Sequence, residues 1–222
     1  MDPPLCELIH VAKRFGGCQV LRRVSFSVRE PEIVGVIGPN GCGKTTLLRV
    51  LVGLLRPSFG SALLCGRPTS DHSGRMPVGY FAGESTLPPE LAACRWSSCV
   101  TRGGPAVAES GRMGKLSRGS RQLVGLRTIV SLPAPLLVLD EPWEGLDPDG
   151  SRWLTESLRR KQAEGAGVVV SSHRLFDLAG ACDRYAFLSR GSLVCFTVAD
   201  LAAEGRVTGE HLLAAYDRVA RS

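Results

Sequence analysis

Residues 38–45 read G-P-N-G-C-G-K-T and match the pattern G-x-x-x-x-G-K-[ST] of a phosphate-binding loop. An apolar run at residues 32–37 predicts a buried strand before the loop, and residues 45–52 predict a helix after it. Glycines allow backbone N–H groups to curl around a phosphate, and the helix N-terminus adds positive potential. We therefore expect Lys44 to reach the β- and γ-phosphates of a nucleotide and Thr45 to hold Mg²⁺.

Two acidic residues, Asp140 and Glu141, directly follow the apolar run at residues 136–139. A buried strand with this sequence would present Asp140 at its carboxyl end, beside the phosphate loop. We expect Asp140 to bind Mg²⁺, directly or through water, and Glu141 to polarise an attacking water. Taken alone, the pair is also compatible with an exposed acidic turn after a strand.

Apolar strands alternate with helices along the chain, which predicts an α/β domain with a largely parallel core sheet. Residues 83–114 have weak periodicity, and a helix is compatible with them. The predicted strands are residues 5–11, 20–28, 32–37, 61–65, 77–81, 136–139, 167–171, 185–189 and 192–197. The predicted helices are residues 45–52, 117–130, 148–163 and 209–219.

Further motifs occur in one order along the chain, and together they resemble those of ABC (ATP-binding cassette) proteins. Residues 116–120, L-S-R-G-S, are similar to the family signature L-S-G-G-Q. Residues 140–147, D-E-P-W-E-G-L-D, resemble the Walker B and D-loop segment. Residues 171–173 resemble the switch-histidine segment, and residues 13–16 resemble the adenine-stacking loop. The resemblance covers residues 5–198, which is most of the chain.

The resemblance implies a P-loop NTPase of ABC type that binds ATP and Mg²⁺. Its α/β fold would have a mixed core sheet, an antiparallel β lobe and a short α-helical lobe at about residues 83–116, in one cassette spanning residues 1–222. Phe15 would stack on adenine, whereas Ser117 and Gly119 would contact the γ-phosphate held by an opposite subunit. The residues implied in nucleotide binding are Phe15, Gly38, Pro39, Asn40, Gly41, Cys42, Gly43, Lys44, Thr45, Thr46, Ser117, Gly119 and Asp147.

The resemblance also assigns the catalytic and metal-binding residues. Glu141 would activate water, and His173 would hydrogen-bond the γ-phosphate. The implied Mg²⁺ ligands are Thr45, Asp140 and Glu84. Glu84 is included because Gly83 stands where the family has a glutamine or glutamate, and Glu84 follows one residue later.

The same resemblance implies two partners, a membrane-spanning transporter subunit and a second cassette that packs head to tail. No apolar run reaches the roughly 18 residues that cross a bilayer, so we expect a peripheral location on the cytoplasmic membrane face, through the partner. No block of five or six basic residues occurs, and no nucleic-acid partner is expected.

We expect an export-type ATPase subunit, given the single cassette and the absence of a regulatory C-terminal domain. A soluble ABC ATPase that works in assembly or repair remains an alternative. A regulatory cassette without hydrolysis is disfavoured by Lys44, Glu141 and His173.

Two finer expectations concern Cys42 and residues 83–96. Backbone N–H groups and Lys44 are expected to lower the pKa of the Cys42 thiol. Residues 83–96 are expected to form the docking surface for the membrane partner, with Leu87, Leu91 and Trp96 as apolar anchors. The alternative is that these three side chains pack the core of their own lobe.

Overall fold

The computed structural model describes residues 3–71, 78–83, 86–100, 111–202 and 206–221. A six-stranded sheet forms its centre, in the order β10-β9-β3-β8-β7-β6. All neighbouring strands in it are parallel except the β10–β9 pair. Its strands are β3 (Ile33–Ile37), β6 (Val78–Phe81), β7 (Leu136–Leu139), β8 (Gly167–Ser172), β9 (Arg184–Ser189) and β10 (Ser192–Thr197).

A four-stranded antiparallel sheet, ordered β2-β1-β4-β5, forms a second lobe. It contains β1 (Cys6–Phe15), β2 (Cys18–Val28), β4 (Phe59–Leu64) and β5 (Arg67–Pro68). The β1–β2 hairpin runs to Phe15, four residues beyond the predicted end of its first strand. Ala12 in this extension is buried, whereas the charged Arg14 and the apolar Phe15 are both exposed, so hydrophobic alternation along the sequence did not indicate it.

Five of the helices that the structure describes lie between strands in sequence, and two follow the last strand. They are α1 (Lys44–Leu51), α2 (Ala93–Val100), α3 (Arg118–Val130), α4 (Pro148–Ala163), α5 (Leu175–Leu178), α6 (Val198–Leu201) and α7 (Gly209–Arg221). A 3₁₀ turn covers Met113–Lys115. The short helices α5 and α6 were not predicted, because four residues carry too little periodicity to be recognised.

Two hydrophobic clusters cover opposite faces of the central sheet. Ile33, Ile37 and Leu139 belong to the cluster that includes residues of α3, α4 and α7. Val34 and Val138 belong to the other cluster, with α1 and the antiparallel sheet. Successive side chains along a strand alternate between faces, and because both faces are covered these strands are continuously apolar. The mixed core sheet and the antiparallel lobe confirm the predicted fold class.

The short helical lobe contains α2 and the 3₁₀ turn, and an isolated bridge joins Ala92 to Arg112 across them. Residues 101–110, within the predicted lobe, lie outside the described residues. Among the residues that the structure describes, no helix is both long and apolar enough to cross a bilayer.

The expectation that Leu87 anchors a docking surface is wrong. Its side chain is only 6% exposed and belongs to the core cluster, close to Gly125 of α3 and Phe81 of β6. Trp96 is half-buried and packs against the same cluster. Leu91 is 38% exposed, so of the three side chains it is the one that remains accessible to a partner.

We predict that Leu87→Arg destabilises the isolated chain, because it places a charged group in the core. A loss of about 3 kcal/mol corresponds to a melting temperature lowered by roughly 6–12 °C for a chain of this size. Leu91→Arg is the matched control and should leave the melting temperature almost unchanged. Equal melting temperatures for both variants, measured by differential scanning fluorimetry, would contradict the burial of Leu87.

Candidate functional site

The phosphate loop joins β3 to α1 and surrounds the ammonium group of Lys44. Lys44 is 6% exposed, and its Nζ donates to the carbonyl oxygens of Gly38 at 2.8 Å and Pro39 at 3.2 Å. The first N–H groups of a helix have no partner within that helix, and no side chain caps α1. The loop therefore combines a buried cation with a helix N-terminus, which is the arrangement that binds phosphate.

Two glycines of the loop cannot be replaced without displacing their neighbours. A Cβ on Gly38 would lie 2.6 Å from the carbonyl oxygen of Leu188. Gly43 has a φ of +111°, and a Cβ there would lie 2.8 Å from Cγ1 of Val20. The close approach of β9 and β2 thus explains why the motif needs glycine at both positions.

Asp140 lies at the carboxyl end of β7 and is 7% exposed. Its Oδ2 accepts a hydrogen bond from Thr45 Oγ1 at 2.6 Å, and its Oδ1 accepts one from Ser171 Oγ at 2.5 Å. A buried carboxylate requires such donors. These two bonds join α1, β7 and β8 at a single point.

The backbone of Glu141 is in the left-handed region, with a φ of 48°. Its N–H donates to Ser171 Oγ at 3.0 Å, and its carbonyl oxygen accepts from Gln122 Nε2 at 3.3 Å. Left-handed backbone is uncommon for a residue with a side chain and often occurs at functional sites. Ser171 and Gln122 therefore hold the two peptide groups that flank the Cα of Glu141.

The Glu141 carboxylate lies between two basic groups. Lys44 Nζ forms an ion pair with Oε1 at 3.1 Å, and His173 Nδ1 lies 2.9 Å from Oε2. The backbone N–H of His173 also donates to Oε2, at 3.2 Å. The structure therefore brings together Lys44, Asp140, Glu141 and His173.

The other expected nucleotide-binding residues lie in the β1–β2 hairpin, the phosphate loop, α1 and the starts of α3 and α4. Phe15 is 48% exposed, and Lys13 Nζ lies 5.0 Å from its ring centroid. Phe15 pairs with Cys18 in the hairpin whose Val20 lies against Gly43. Pro39, Asn40 and Gly41 are exposed, and Thr46 is half-buried in α1.

Ser117 and Asp147 serve as helix caps in this chain. Ser117 accepts a hydrogen bond from the backbone N–H of Ser120 and begins α3. Asp147 accepts one from the N–H of Gly150 at 2.7 Å and begins α4. Gly119 lies close to this second segment, because a Cβ on it would be 2.7 Å from the carbonyl oxygen of Gly145.

Glu84, expected as a metal ligand, lies outside the described residues. The neighbouring Gly83 has a φ of +95°, and apart from its chain neighbours no heavy atom of the described residues would lie within 4 Å of a Cβ there. Oxygen ligands are those that Mg²⁺ prefers, and the Thr45 hydroxyl and Asp140 carboxylate supply them beside the phosphate loop. The donor set therefore fits a magnesium–nucleotide complex.

Sequence analysis assigned no role to Ser171 or Gln122. Ser171 is fully buried, and Gln122 is 2% exposed and donates to the carbonyl oxygens of Glu141 and Pro142. A serine within an otherwise apolar strand is the sequence feature that could have identified Ser171. No spacing in the sequence indicates that Gln122 reaches the backbone of Glu141.

The expectation of a low pKa for Cys42 is wrong. Burial raises the pKa of this thiol above its ordinary value, and the Lys44 ammonium only partly offsets the effect. The side chain packs against the apolar cluster beneath the loop, and its Sγ would lie 2.6 Å from a Cβ on Gly38. Cys42 is half-buried, and its side chain lies against the core cluster.

A phosphate loop, a buried lysine and adjacent carboxylates on a mixed sheet define a P-loop nucleotide-binding protein. Residues 21–144 match the sequence profile of the ABC transporter family. This chain belongs to that family, whose members bind ATP and generally hydrolyse it.

Similar proteins support the assignment. An uncharacterized ABC transporter ATP-binding protein of Nostoc sp. (strain PCC 7120) is 35% identical over 196 residues, which are 79% of this chain and 58% of that protein. The SkfA peptide export ATP-binding protein SkfE of Bacillus subtilis is 30% identical, over 86% of this chain and 87% of that protein. A solved ATP-binding subunit of an ABC transporter superposes with a TM-score of 0.83 at 26% identity, over 95% of this chain and 98% of that one.

We predict that Cys42 reacts with iodoacetamide severalfold more slowly than the exposed Cys18 at pH 7, because burial disfavours its thiolate. Raising the pH to 9 should accelerate its reaction as the thiolate fraction increases. Peptide mass spectrometry after timed alkylation measures both rates in one sample. Faster labelling of Cys42 than of Cys18 at pH 7 would show that the thiol is activated.

Proposed function

We propose that this chain is a single ABC cassette that hydrolyses Mg-ATP and energises a separate membrane-spanning subunit, as an exporter. The observation that carries the hydrolytic part is the contact of Glu141 with both Lys44 and His173 beside Asp140. These are the groups that would bind phosphate, activate water and respond to the loss of the γ-phosphate.

Lys44 and the N-terminus of α1 would bind the phosphates of ATP. The carbonyl oxygens of Gly38 and Pro39 orient the ammonium group, and phosphate oxygens would take the place of Glu141 as its counter-charge. Thr45 and Asp140 would hold Mg²⁺. When bound, the ion neutralises charge that develops on the phosphates.

Glu141 would accept the proton of the attacking water once Lys44 is engaged by phosphate. The hydrogen bond from His173 fixes the carboxylate, and the ring would move to the γ-phosphate when ATP is present. Ser171 and Gln122 keep the backbone of Glu141 in place throughout, because they bind its peptide groups rather than its carboxylate.

The partners are proposed from the family. ABC cassettes act with membrane subunits and dimerise, so we propose a head-to-tail second cassette in which Ser117 and Gly119 face the partner's ATP. The peptide-export name of the B. subtilis relative supports an export role. The chain would then lie on the cytoplasmic face of the membrane through its membrane subunit.

We predict that Glu141→Gln lowers ATP turnover by about 10²–10⁴-fold while nucleotide binding is retained, because the general base is lost. Lys44→Ala should instead weaken ATP binding, because a charge that faces the phosphates is removed. Turnover is measured by phosphate release and binding by fluorescence of a labelled ATP analogue.

Glu164→Gln is the matched control, since Glu164 pairs with Lys161 at the end of α4, outside the set of residues around Asp140. It should hydrolyse ATP at the wild-type rate. Wild-type turnover by the Glu141→Gln variant would refute the role proposed for Glu141. Absence of Mg-dependent turnover in the wild-type chain with a reconstituted partner would refute the proposed function.

A further inference from the structure

Two charged side chains outside the proposed reacting groups meet beside the site. Arg118 is the first residue of α3, and its Nη2 lies 2.6 Å from Oε1 of Glu144. The backbone N–H of Glu144 donates to the carbonyl oxygen of Glu141 at 3.1 Å. The pair therefore connects the start of the signature helix to the tight turn that carries the proposed general base.

The pair also offsets an unfavourable charge at the N-terminus of α3. A helix N-terminus favours negative charge, yet the first turn of α3 contains Arg118 and Arg121 and no acidic residue. Glu144 supplies a carboxylate from another segment at this point. Glu144 therefore stabilises the first turn of α3 and is attracted by both the guanidinium group and the helix dipole.

A second contact acts from the same face of α3. Residues 118 and 122 are four apart, so they are neighbours on the helix surface. Gln122 Nε2 donates to the carbonyl oxygens of Glu141 and Pro142, at 3.3 and 3.0 Å. Between these contacts the backbones approach so closely that a Cβ on Gly119 would lie 2.7 Å from the Gly145 carbonyl oxygen. The helix α3 is thus attached to the turn at residues 141–144 at two points, by Arg118 and by Gln122.

Arg118 and Glu144 also line a cavity of about 180 Å³ that reaches the catalytic carboxylates. The other lining residues are Ala82, Gly83, Gln122, Asp140 and Glu141. On the side of Ala82 and Gly83 the described lining carries no polar side chain. The polar side chains that reach the cavity from outside the turn at residues 140–144 are therefore Arg118 and Gln122 of α3.

We propose that Arg118 and Glu144 form a positioning pair, which ties the signature helix to the turn that carries Glu141 within one chain. The proposal rests on the proposed function, because its consequence is the coupling of the first turn of α3 to ATP turnover. Arg118 acts through Glu144 and the backbone next to Glu141, and it does not itself contact the reacting atoms.

The test is a double-mutant cycle on the full chain with the partner present. The variants are Arg118→Gln, Glu144→Gln, the double variant, and the exchanged variant Arg118→Glu/Glu144→Arg. Each single variant should lower kcat about three- to fivefold, the range available from a partly exposed ion pair, and change KM by less than about twofold. The double variant should be no worse than either single variant. The exchanged variant should regain at least about half of kcat, because the pair and its attraction are restored.

Hydrogen exchange of the nucleotide-free chain supplies a readout that does not depend on turnover. Amides in the first turn of α3 should exchange faster in both single variants than in the wild type, and the exchanged variant should be protected again. Arg152→Gln is the matched control, because it removes an exposed ion pair with Asp149 on α4. It should alter neither kcat nor exchange in α3.

Four results would overturn the proposal. Additive losses in the double variant, or no recovery in the exchanged variant, would show that the two residues act separately. A loss with Arg118→Gln alone would assign Arg118 to another group, such as a phosphate in the partner cassette. Unchanged kcat and exchange in both single variants would make the contact an ordinary surface ion pair. If the proposed function fails, the wild-type chain shows no ATP turnover. Hydrogen exchange in the first turn of α3 then still tests whether the Arg118–Glu144 pair stabilises that turn.

Discussion

The site depends on the burial of the Asp140 carboxylate between two hydroxyl donors. Thr45 and Ser171 are contributed by α1 and β8, and both bonds are short, at 2.6 and 2.5 Å. An ionised carboxylate without partners could not remain 7% exposed, since burying an unpaired charge is strongly unfavourable. The phosphate loop, the acidic strand and the switch-histidine strand are therefore held in one arrangement by the need to satisfy one charge.

Next to this fixed point, Glu141 adopts a backbone conformation that costs about 1–3 kcal/mol for a residue with a side chain. Ser171 and Gln122 bind its two peptide groups and compensate for that strain. Ser171 thus serves both acidic residues, through its hydroxyl proton to Asp140 and its oxygen lone pair to Glu141. The backbone of Glu141 is therefore held independently of its carboxylate, which has its own contacts with Lys44 and His173.

The turn at residues 141–145 also contacts α3, whose N-terminus resembles the family signature. Residues 141–145 receive contacts from Gln122, Arg118 and the backbone at Gly119, all on α3. A displacement of the turn at Glu141 would be transmitted to the signature helix through these contacts, because packed and hydrogen-bonded segments move together. The position of the signature in a proposed dimer would thereby be linked to the state of the site in its own chain.

The sequence by itself indicated the phosphate loop and the buried strands, and it predicted Lys44, Asp140, Glu141 and His173 as site residues. The motifs that contain these residues are local, because each lies within a few residues of the end of a strand. The buried strands are recognised from their apolar runs. Only the tertiary structure decided what Leu87, Cys42, Ser171 and Gln122 do. Leu87 and Cys42 stand in segments that suggest exposure, yet packing against α3 buries Leu87, and the core beneath the loop half-buries Cys42. Ser171 and Gln122 reach Glu141 across 30 and 19 residues, and no local pattern encodes a hydrogen bond that forms only after distant segments have packed together.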